Sequence, residues 1–418
     1  MFAKLFARIK SLIQYIRENR FDRSLMRYFD WPLLIMVLTI SLFGIVCIFS
    51  ATSSEVSTAP SNLVEMLQTQ SIAYPRLQFL WLLAGMVAMF AIIFFPYALY
   101  GRYAHYIYVL NIAILLFTLV VAKAGRGAMK AFLSWGSSSE RGLQTSEFGK
   151  VFMIMCFAKV FSDRKRPIRN LHDILWFVVY LMIPLVLIVV QPDVGTALVY
   201  VAVFCVMVFV SGTDYKLIAS VLGCAVLLII PVWYFMNNTS SSSFRLERIL
   251  MWLHPEDYPD EARQIINGQI AIGSGGLWGK GVVSPGSFAS LGYISDDHTD
   301  FIFAIVCESF GLVGGCALVL GYILLLGRLL VLSNRVSDPY GSYLIIGVFG
   351  MLLFHIIENI CMVIGLLPVT GIPLPFVSYG GSNMLTNMMA IGLVENVVMR
   401  SRARERRRQT AAPRSIDL

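Results

Sequence analysis

The sequence predicts an all-α polytopic membrane protein with about ten transmembrane helices and a large extracellular loop between the seventh and eighth. Three observations predict it. Hydrophobic residues make up 57% of the 418-residue chain and charged residues only 14%, whereas soluble chains carry roughly 25% charged residues. The mean hydropathy is +0.72. The apolar residues also fall into runs close to the ~20 residues that cross a bilayer, with Lys and Arg gathered between and beyond them. Collagen-like, disordered and small disulfide-framework chains are excluded. The net charge of +8 reads as membrane orientation with anionic lipid headgroups as partners, not as nucleic-acid binding.

Spans are placed at 32–50, 77–97, 105–123, 147–162, 174–190, 194–211, 216–236, 301–327, 341–366 and 382–399. The fourth has the weakest signal, because it opens with Glu147 and Lys150. The N-terminal segment 1–31 carries Lys4, Arg8, Lys10, Arg17, Arg20, Arg23 and Arg27, while 51–75 holds no cation. That asymmetry puts the N-terminus in the cytoplasm. An even number of spans returns the tail 400–418, basic from Arg400 through Arg408, to the same side. The organisation is therefore a basic segment 1–31, helices one to seven over 32–236, the loop 237–300, helices eight to ten over 301–399, and the tail 400–418. No cleavable signal fits the polar start. The seven cysteines sit inside apolar stretches without a CxxC pair, so they read as core residues and support neither a disulfide frame nor a zinc site.

Two outer loops depart from the quiet pattern. The segment 124–146 carries Arg126, Lys130 and Arg141 against the orientation rule. It is either a folded loop whose cations pair locally or a place where an anion is held. The loop 237–300 contains Ile249 to Leu253 and Ile265 to Ile272, spaced as short amphipathic helices lying in the interface. Between them lie four carboxylates in six residues, Glu256 and Asp257 flanked by Pro255 and Pro259 and Asp260 and Glu261 directly after, as a solvated acidic turn or a catalytic one. The glycine-rich stretch Gly273 to Gly281 would let backbone N–H groups approach a ligand, or serve as a hinge.

Ionisable residues inside apolar segments are expensive and point to function. Glu147 and Lys150 stand at i, i+3 and are expected to pair, either as a self-neutralising pair or lining a polar cavity. Asp193, after Gln191 and Pro192, is placed to cap the next helix. Asp300 or Thr299 is the expected cap of the eighth span, with His298 a potential ligand group, and Glu308 lies too deep for capping. The stretch Gly365 to Ser382, rich in Pro and Gly, cannot be one helix. A re-entrant segment is expected there, with Ser378, Tyr379 and glycine amides such as that of Gly380 facing a polar ligand.

The stretches QPDVGTA (Gln191 to Ala197), IAIGSGGLWGKG (Ile270 to Gly281), HTDFIFA (His298 to Ala304) and GLLPVTGIPLPFVSYGGS (Gly365 to Ser382), in this order, resemble the SEDS family (shape, elongation, division and sporulation). Trp135 followed by Leu143, Gln144, Thr145, Ser146, Glu147 and Lys150 resembles a further motif of that family, with Thr145 where Pro is usual. The resemblance covers roughly 30–400. Phe29 to Leu34 and the wording around Ser378 look nearest to the RodA elongation branch, with the FtsW and SpoVE branches as alternatives. The resemblance implies a peptidoglycan glycosyltransferase of the bacterial cytoplasmic membrane. Such an enzyme polymerises lipid II at the outer face, for cell elongation, shape or division, with a class B penicillin-binding protein as transpeptidase partner. It also implies a catalytic Asp in the large loop, which maps to Asp257, with Asp260 as the alternative because the surrounding residues depart from the usual Asp-Pro wording.

The chemistry agrees with those residue types. A sugar hydroxyl attacking an anomeric carbon must lose its proton, which one carboxylate can take. The lipid-linked pyrophosphate is a good leaving group, so cations carry its developing charge; Arg126, Lys130, Lys150 and Arg248 are the candidates. A divalent cation bridging the pyrophosphate would fit, although no His/Asp/Glu spacing specifies a metal site. The competing readings are a lipid II flippase or other transporter, for which no internal repeat is visible, and a noncatalytic scaffold for the transpeptidase.

Overall fold

A computed structural model describes residues 23–53, 72–124, 133–134, 142–164, 171–191, 193–214, 216, 250–294 and 297–411. The chain runs through α1 (Trp31–Ala51), α2 (Ala73–Phe94), the short α3 (Tyr97–Arg102), α4 (Ala104–Ala124), the two-residue strands β1 (Leu133–Ser134) and β2 (Gly142–Leu143), α5 (Thr145–Ser162), α6 (Leu171–Val190) and α7 (Val194–Val210). After these come α8 (Pro259–Ser274), α9 (Ile302–Arg335), α10 (Pro339–Val363) and α11 (Gly381–Ala411). Helices therefore occupy every predicted span except the seventh, 216–236, which lies outside the described residues apart from its first position. The fold is an all-helical polytopic membrane bundle, as the composition demanded.

The helix boundaries follow from the residues that end them. Asp30 caps α1, its Oδ1 accepting from the Leu33 amide at 3.3 Å, with Pro32 in the first turn. Asp338 caps α10 in the same way, taking the Gly341 amide at 3.2 Å, with Pro339 at the first position. By length and composition α1, α2, α9 and α10 can each cross a membrane, while α4, α6 and α7 contain shorter apolar stretches. Large apolar side chains such as Val87, Trp176 and Phe209 are about 70% exposed or more, which in this setting marks the lipid-facing surface. Helix α5 is the exception: Glu147, Gly149, Lys150, Val151 and Met153 to Ala158 are all buried, so its polar start is enclosed by other helices instead of by lipid.

Two interruptions shape the end of the bundle that carries the loop. At Gly311 (φ 68°, ψ −168°) α9 leaves helical geometry before resuming, a conformation open to glycine at little cost. Between α10 and α11, residues 364–380 contain no helix. The second half of this stretch is mostly buried in protein, from Ile372 through Ser378, as broken backbone at membrane depth must be. The Pro375 carbonyl accepts from Tyr322 Oη at 2.6 Å, and Gly44 of α1 lies so close to Val377 that a Cβ there would fall 2.6 Å from Val377 Cα.

Candidate functional site

The buried polar centre of the bundle forms where α5 meets α10. Glu147 lies in the first turn of α5, where a carboxylate suits the helix dipole, and Lys150 follows one turn later. Lys150 Nζ sits 2.7 Å from Glu147 Oε1, the expected pair, and 2.9 Å from His355 Nε2 on α10. His355 Nδ1 is 2.7 Å from the Met351 carbonyl. Nδ1 therefore carries the proton and donates it there, leaving the Nε2 lone pair to accept from the ammonium. The three residues are 6%, 3% and 1% exposed in the order Glu147, Lys150, His355. Removing one partner of such a pair strands a buried charge, at about 3–5 kcal/mol. Its hydrogen bonding is nonetheless incomplete. Glu147 Oε2 has no partner among the described residues, and Lys150 has a third N–H beyond the two used.

A second polar set holds the start of α5 in register. Asp193 caps α7 as expected, its Oδ1 accepting from the Thr196 amide at 3.2 Å. Its Oδ2 also accepts from Ser146 Oγ at 2.7 Å and Gln144 Nε2 at 2.8 Å. The Gln144 amide reaches Ser382 Oγ at the head of α11, 2.9 Å away. The motif residues at 144–150 and 193–196 thus form one frame, with Lys150 one turn inside it.

The re-entrant segment uses its polar groups internally. Ser378 is 0% exposed; its hydroxyl donates to the Thr299 carbonyl at 2.6 Å and accepts from the Leu374 amide at 2.8 Å. The Gly380 amide donates to Gln78 Oε1 at 3.2 Å, and the Tyr379 amide to the His298 carbonyl at 2.9 Å. Expected to face a ligand, these groups instead brace the segment, because a broken backbone buried among helices must satisfy its own donors first. Side chains remain for the site: the rings of Tyr74, His298 and Tyr379 cluster with centroids 4.9 to 5.6 Å apart, and His298 Nδ1 lies 3.0 Å from Asp297 Oδ1.

The capping expectation for α9 needs correction. Phe301 is the N-cap and supplies no side-chain bond. Asp300 instead offers its carbonyl to Asn359 Nδ2 at 2.8 Å, which also reaches the Ile372 carbonyl at 2.8 Å. Glu358, beside it, accepts from Thr370 Oγ1 and leaves Oε2 without a partner among the described residues. His355, Glu358 and Asn359 were not singled out in the sequence. A histidine, glutamate and asparagine inside one apolar span were the available signal.

The loop is fastened at two places. Its glycine-rich stretch docks into the break of α9: the Leu312 amide donates to the Gly276 carbonyl at 2.9 Å and Val313 to Leu277 at 3.2 Å, while Lys280 and Gly281 donate to the carbonyls of Glu308 and Ser309 at 2.9 and 3.0 Å. A Cβ at Gly279 or Gly311 would collide with the facing backbone. These glycines therefore permit backbone to approach backbone, not a ligand. Glu308, too deep for a cap, takes Lys280 Nζ at 2.8 Å and the Phe288 amide at 2.8 Å. Elsewhere Trp252 Nε1 donates to the Gly365 carbonyl at 2.9 Å and Gln269 Nε2 to that of Ile364 at 3.2 Å. Helix α8 buries Ala262, Ile265 and Ala271, with Gly268 facing the Phe301 ring of the α9 entrance. It is docked on protein along that face, while Ile266 and Ile270 remain exposed.

Asp257 closes a 3-10 turn, Pro255–Asp257, and is exposed; its amide donates to the His254 carbonyl at 3.2 Å. Asp260 lies in the first turn of α8 with its backbone alone described. Arg126, Lys130 and Arg248 lie outside the described residues. Among the described residues no group of His, Cys, Asp and Glu is placed to hold a metal ion. The structure thus joins Glu147 and Lys150, adds His355, and fastens the loop carrying Asp257 to the exit of α10.

Comparison with known proteins identifies the family and the fold. The family model described as cell cycle protein, FtsW/RodA/SpoVE, matches residues 30–403. The chain is 32% identical over 371 residues to the probable peptidoglycan glycosyltransferase FtsW of Trichlorobacter lovleyi, covering 88% of this chain and 93% of that one. It is 32% identical over 378 residues to the stage V sporulation protein E of Bacillus subtilis, covering 89% and 98%. Among solved structures, a chain from a peptidoglycan synthase complex that coordinates polymerization and crosslinking aligns with a TM-score of 0.67 at 27% identity, over 90% of this chain and 98% of that one. The rod shape determining protein RodA of Thermus thermophilus aligns with a TM-score of 0.61 at 26% identity, over 89% and 97%. FtsW, SpoVE and RodA proteins all match at this level, so similarity does not select one branch.

Proposed function

Because the chain belongs to the FtsW/RodA/SpoVE family of cell cycle proteins, we propose that it polymerises lipid II into glycan strands, with Asp257 removing the proton from the acceptor sugar hydroxyl. The class of activity, peptidoglycan glycosyltransferase, is that of the matching relative. The observation that carries the mechanism is the tethering of the loop to the helix that holds the cationic centre. Trp252 and Gln269 bind the carbonyls at the exit of α10, Gly365 and Ile364, and His355 of that helix accepts from Lys150. From His355 to Ile364 the helix rises about 14 Å. The acidic turn and the buried ammonium therefore belong to one end of one bundle.

In this reading the base acts in water-accessible surroundings, since Asp257 is exposed. Lys150, with a donor to spare, stabilises charge developing on the departing pyrophosphate; Arg126, Lys130 and Arg248 are further candidates for that task, and a bridging divalent cation would serve the same end. Glu147 and His355 hold the ammonium in place without neutralising it fully. His298, Asp300 and Tyr379 shape the sugar side of the site, with Asp260 as the alternative base. The setting is the bacterial cytoplasmic membrane with both termini inside, and the partner a class B penicillin-binding protein, in keeping with the synthase complex whose chain aligns here.

The test supplies lipid II to the purified full-length protein with its transpeptidase partner and measures glycan polymer. Wild type makes polymer and Asp257→Asn loses about 10²–10⁴-fold of that rate while staying folded. Polymer from Asp257→Asn but not from Asp260→Asn would move the base to Asp260. Lipid II carried across vesicles without polymer would instead identify a flippase, and neither outcome with an active partner would leave a scaffold.

A further inference from the structure

The end of the bundle opposite the loop holds a hollow of about 330 Å³ that the proposed reaction does not use. It opens between the last turns of α9 and the distal part of α11. Leu332, Val336 and Val398 give it an apolar floor, and Arg335, Ser401, Arg402 and Glu405 supply its polar groups. The volume falls in the range of small-molecule sites, ~300–1,000 Å³.

The polar groups are not equivalent. Arg402 is fixed from behind: its Nη2 lies 2.6 Å from Asp30 Oδ2 and its Nη1 3.1 Å from the Tyr28 carbonyl. Arg335 is exposed and makes no ion pair or side-chain hydrogen bond among the described residues. The Ser401 hydroxyl is likewise uncommitted among them. Glu405 accepts from Ser337 Oγ at 3.2 Å through Oε1, which leaves Oε2 as an acceptor. A free guanidinium and a hydroxyl above an apolar floor, at the level where helices leave the membrane, match a phosphodiester that carries acyl chains. A spare carboxylate beside them matches a hydroxylated headgroup.

We propose that this hollow binds the headgroup of an anionic glycerophospholipid of the phosphatidylglycerol type. The phosphate lies against Arg335 and Ser401, the headgroup hydroxyls meet Glu405, and the first acyl methylenes rest on Leu332, Val336 and Val398. The inference is independent of the glycosyltransferase reading, since no residue of that site takes part.

The experiment is native mass spectrometry of the full-length protein with added phosphatidylglycerol or phosphatidylcholine, comparing wild type with Arg335→Gln and Arg408→Gln. Both variants remove one positive charge, but Arg408 does not line the hollow. Wild type should retain phosphatidylglycerol over phosphatidylcholine. Arg335→Gln should lower that retention about fivefold, the contribution of one basic residue near a charged headgroup, while Arg408→Gln leaves it within about twofold. Ser401→Phe, which fills the hollow without changing charge, should lower retention as Arg335→Gln does. Equal losses in the two arginine variants would mean diffuse attraction and overturn the proposal, as would the absence of a lipid preference. Displacement of the lipid by millimolar glycerol phosphate would overturn it in favour of a soluble phosphate ester.

Discussion

The two ends of the bundle each bury a carboxylate beside cations, and they do so differently. At the end away from the loop, both oxygens of Asp30 are filled: Arg328 donates at 3.0 and 2.7 Å and Arg402 at 2.6 Å. The Asp30 amide also reaches Glu395 Oε2 at 3.0 Å. Burial alone would raise the Asp30 pKa, but the bonds and charges of Arg328 and Arg402 outweigh it and hold the carboxyl below its ordinary value. At the loop end, Glu147 keeps one oxygen bare and Lys150 keeps one donor in hand. The filled Asp30 carboxylate ties α1, α9 and α11 together, although Glu395 beside it keeps Oε1 without a partner among the described residues. The Glu147 carboxylate, also buried, is itself left with bonding capacity that water or substrate can use.

The largest effect should come from the reaction itself. Asp257→Asn is expected to lower polymerisation by about 10²–10⁴-fold, the range for removing a general base. Its thermal transition should stay within about a degree of wild type, since a substitution at an exposed carboxylate away from packing features changes stability little. Next comes Lys150→Met, which should cost about 10²-fold in turnover, the usual loss for one electrostatic stabiliser. The double variant Lys150→Met/Glu147→Gln separates chemistry from folding, because it removes the stranded charge and should recover stability without recovering turnover. Wild-type turnover in that variant would return the pair to a purely structural role.

Gly279→Ala ranks third. Its Cβ would meet the Ser309 backbone and its φ is +81°, so the loop should detach from α9. Limited proteolysis between 275 and 294 should quicken at least tenfold, at about 2 kcal/mol for strain and lost docking. Asp30→Asn should be smaller still and lie at the other end of the comparison. It should lower stability by about 2 kcal/mol, below the buried-pair range because both arginines are partly exposed, with turnover per folded molecule unchanged. Its pH dependence has a definite sign. The folded pKa is depressed, so the stabilisation is present above the unfolded value of about 3.9 and is lost as pH falls through the lower folded value. Melting curves of wild type and Asp30→Asn should therefore differ at pH 6 and converge as pH falls through the depressed folded value. Curves that stay apart there would show that the arginine contacts are not what stabilises the carboxylate.

The sequence made the spans legible to the extent that hydropathy carries them. Helices α1 and α10 are apolar enough to be read unaided, and the Asp193 cap and the Glu147–Lys150 pair follow from spacing along one helix. Long-range partners were not readable. His355 stands 205 residues from Lys150, and nothing in either local pattern announces the other. The glycine-rich motif was ambiguous for a physical reason: a ligand cradle and a backbone-to-backbone dock make the same demand, a chain without Cβ atoms that can take positive φ. The break at Gly311, which receives that motif, sits in a run whose hydropathy is uninterrupted. Ser378 and Gly380 were misjudged because a re-entrant segment needs internal donors and acceptors whether or not it binds anything.

The proposed mechanism requires Asp257 and Lys150 to serve one chemical step. The direct measurement is the lipid II polymerisation rate of wild type, Asp257→Asn, Lys150→Met and the double variant, at equal amounts of folded protein. Residues acting as a unit are strongly non-additive, so the double variant should lose no more than the worse single one, within about threefold. Losses that multiply would show two independent contributions and contradict the single site.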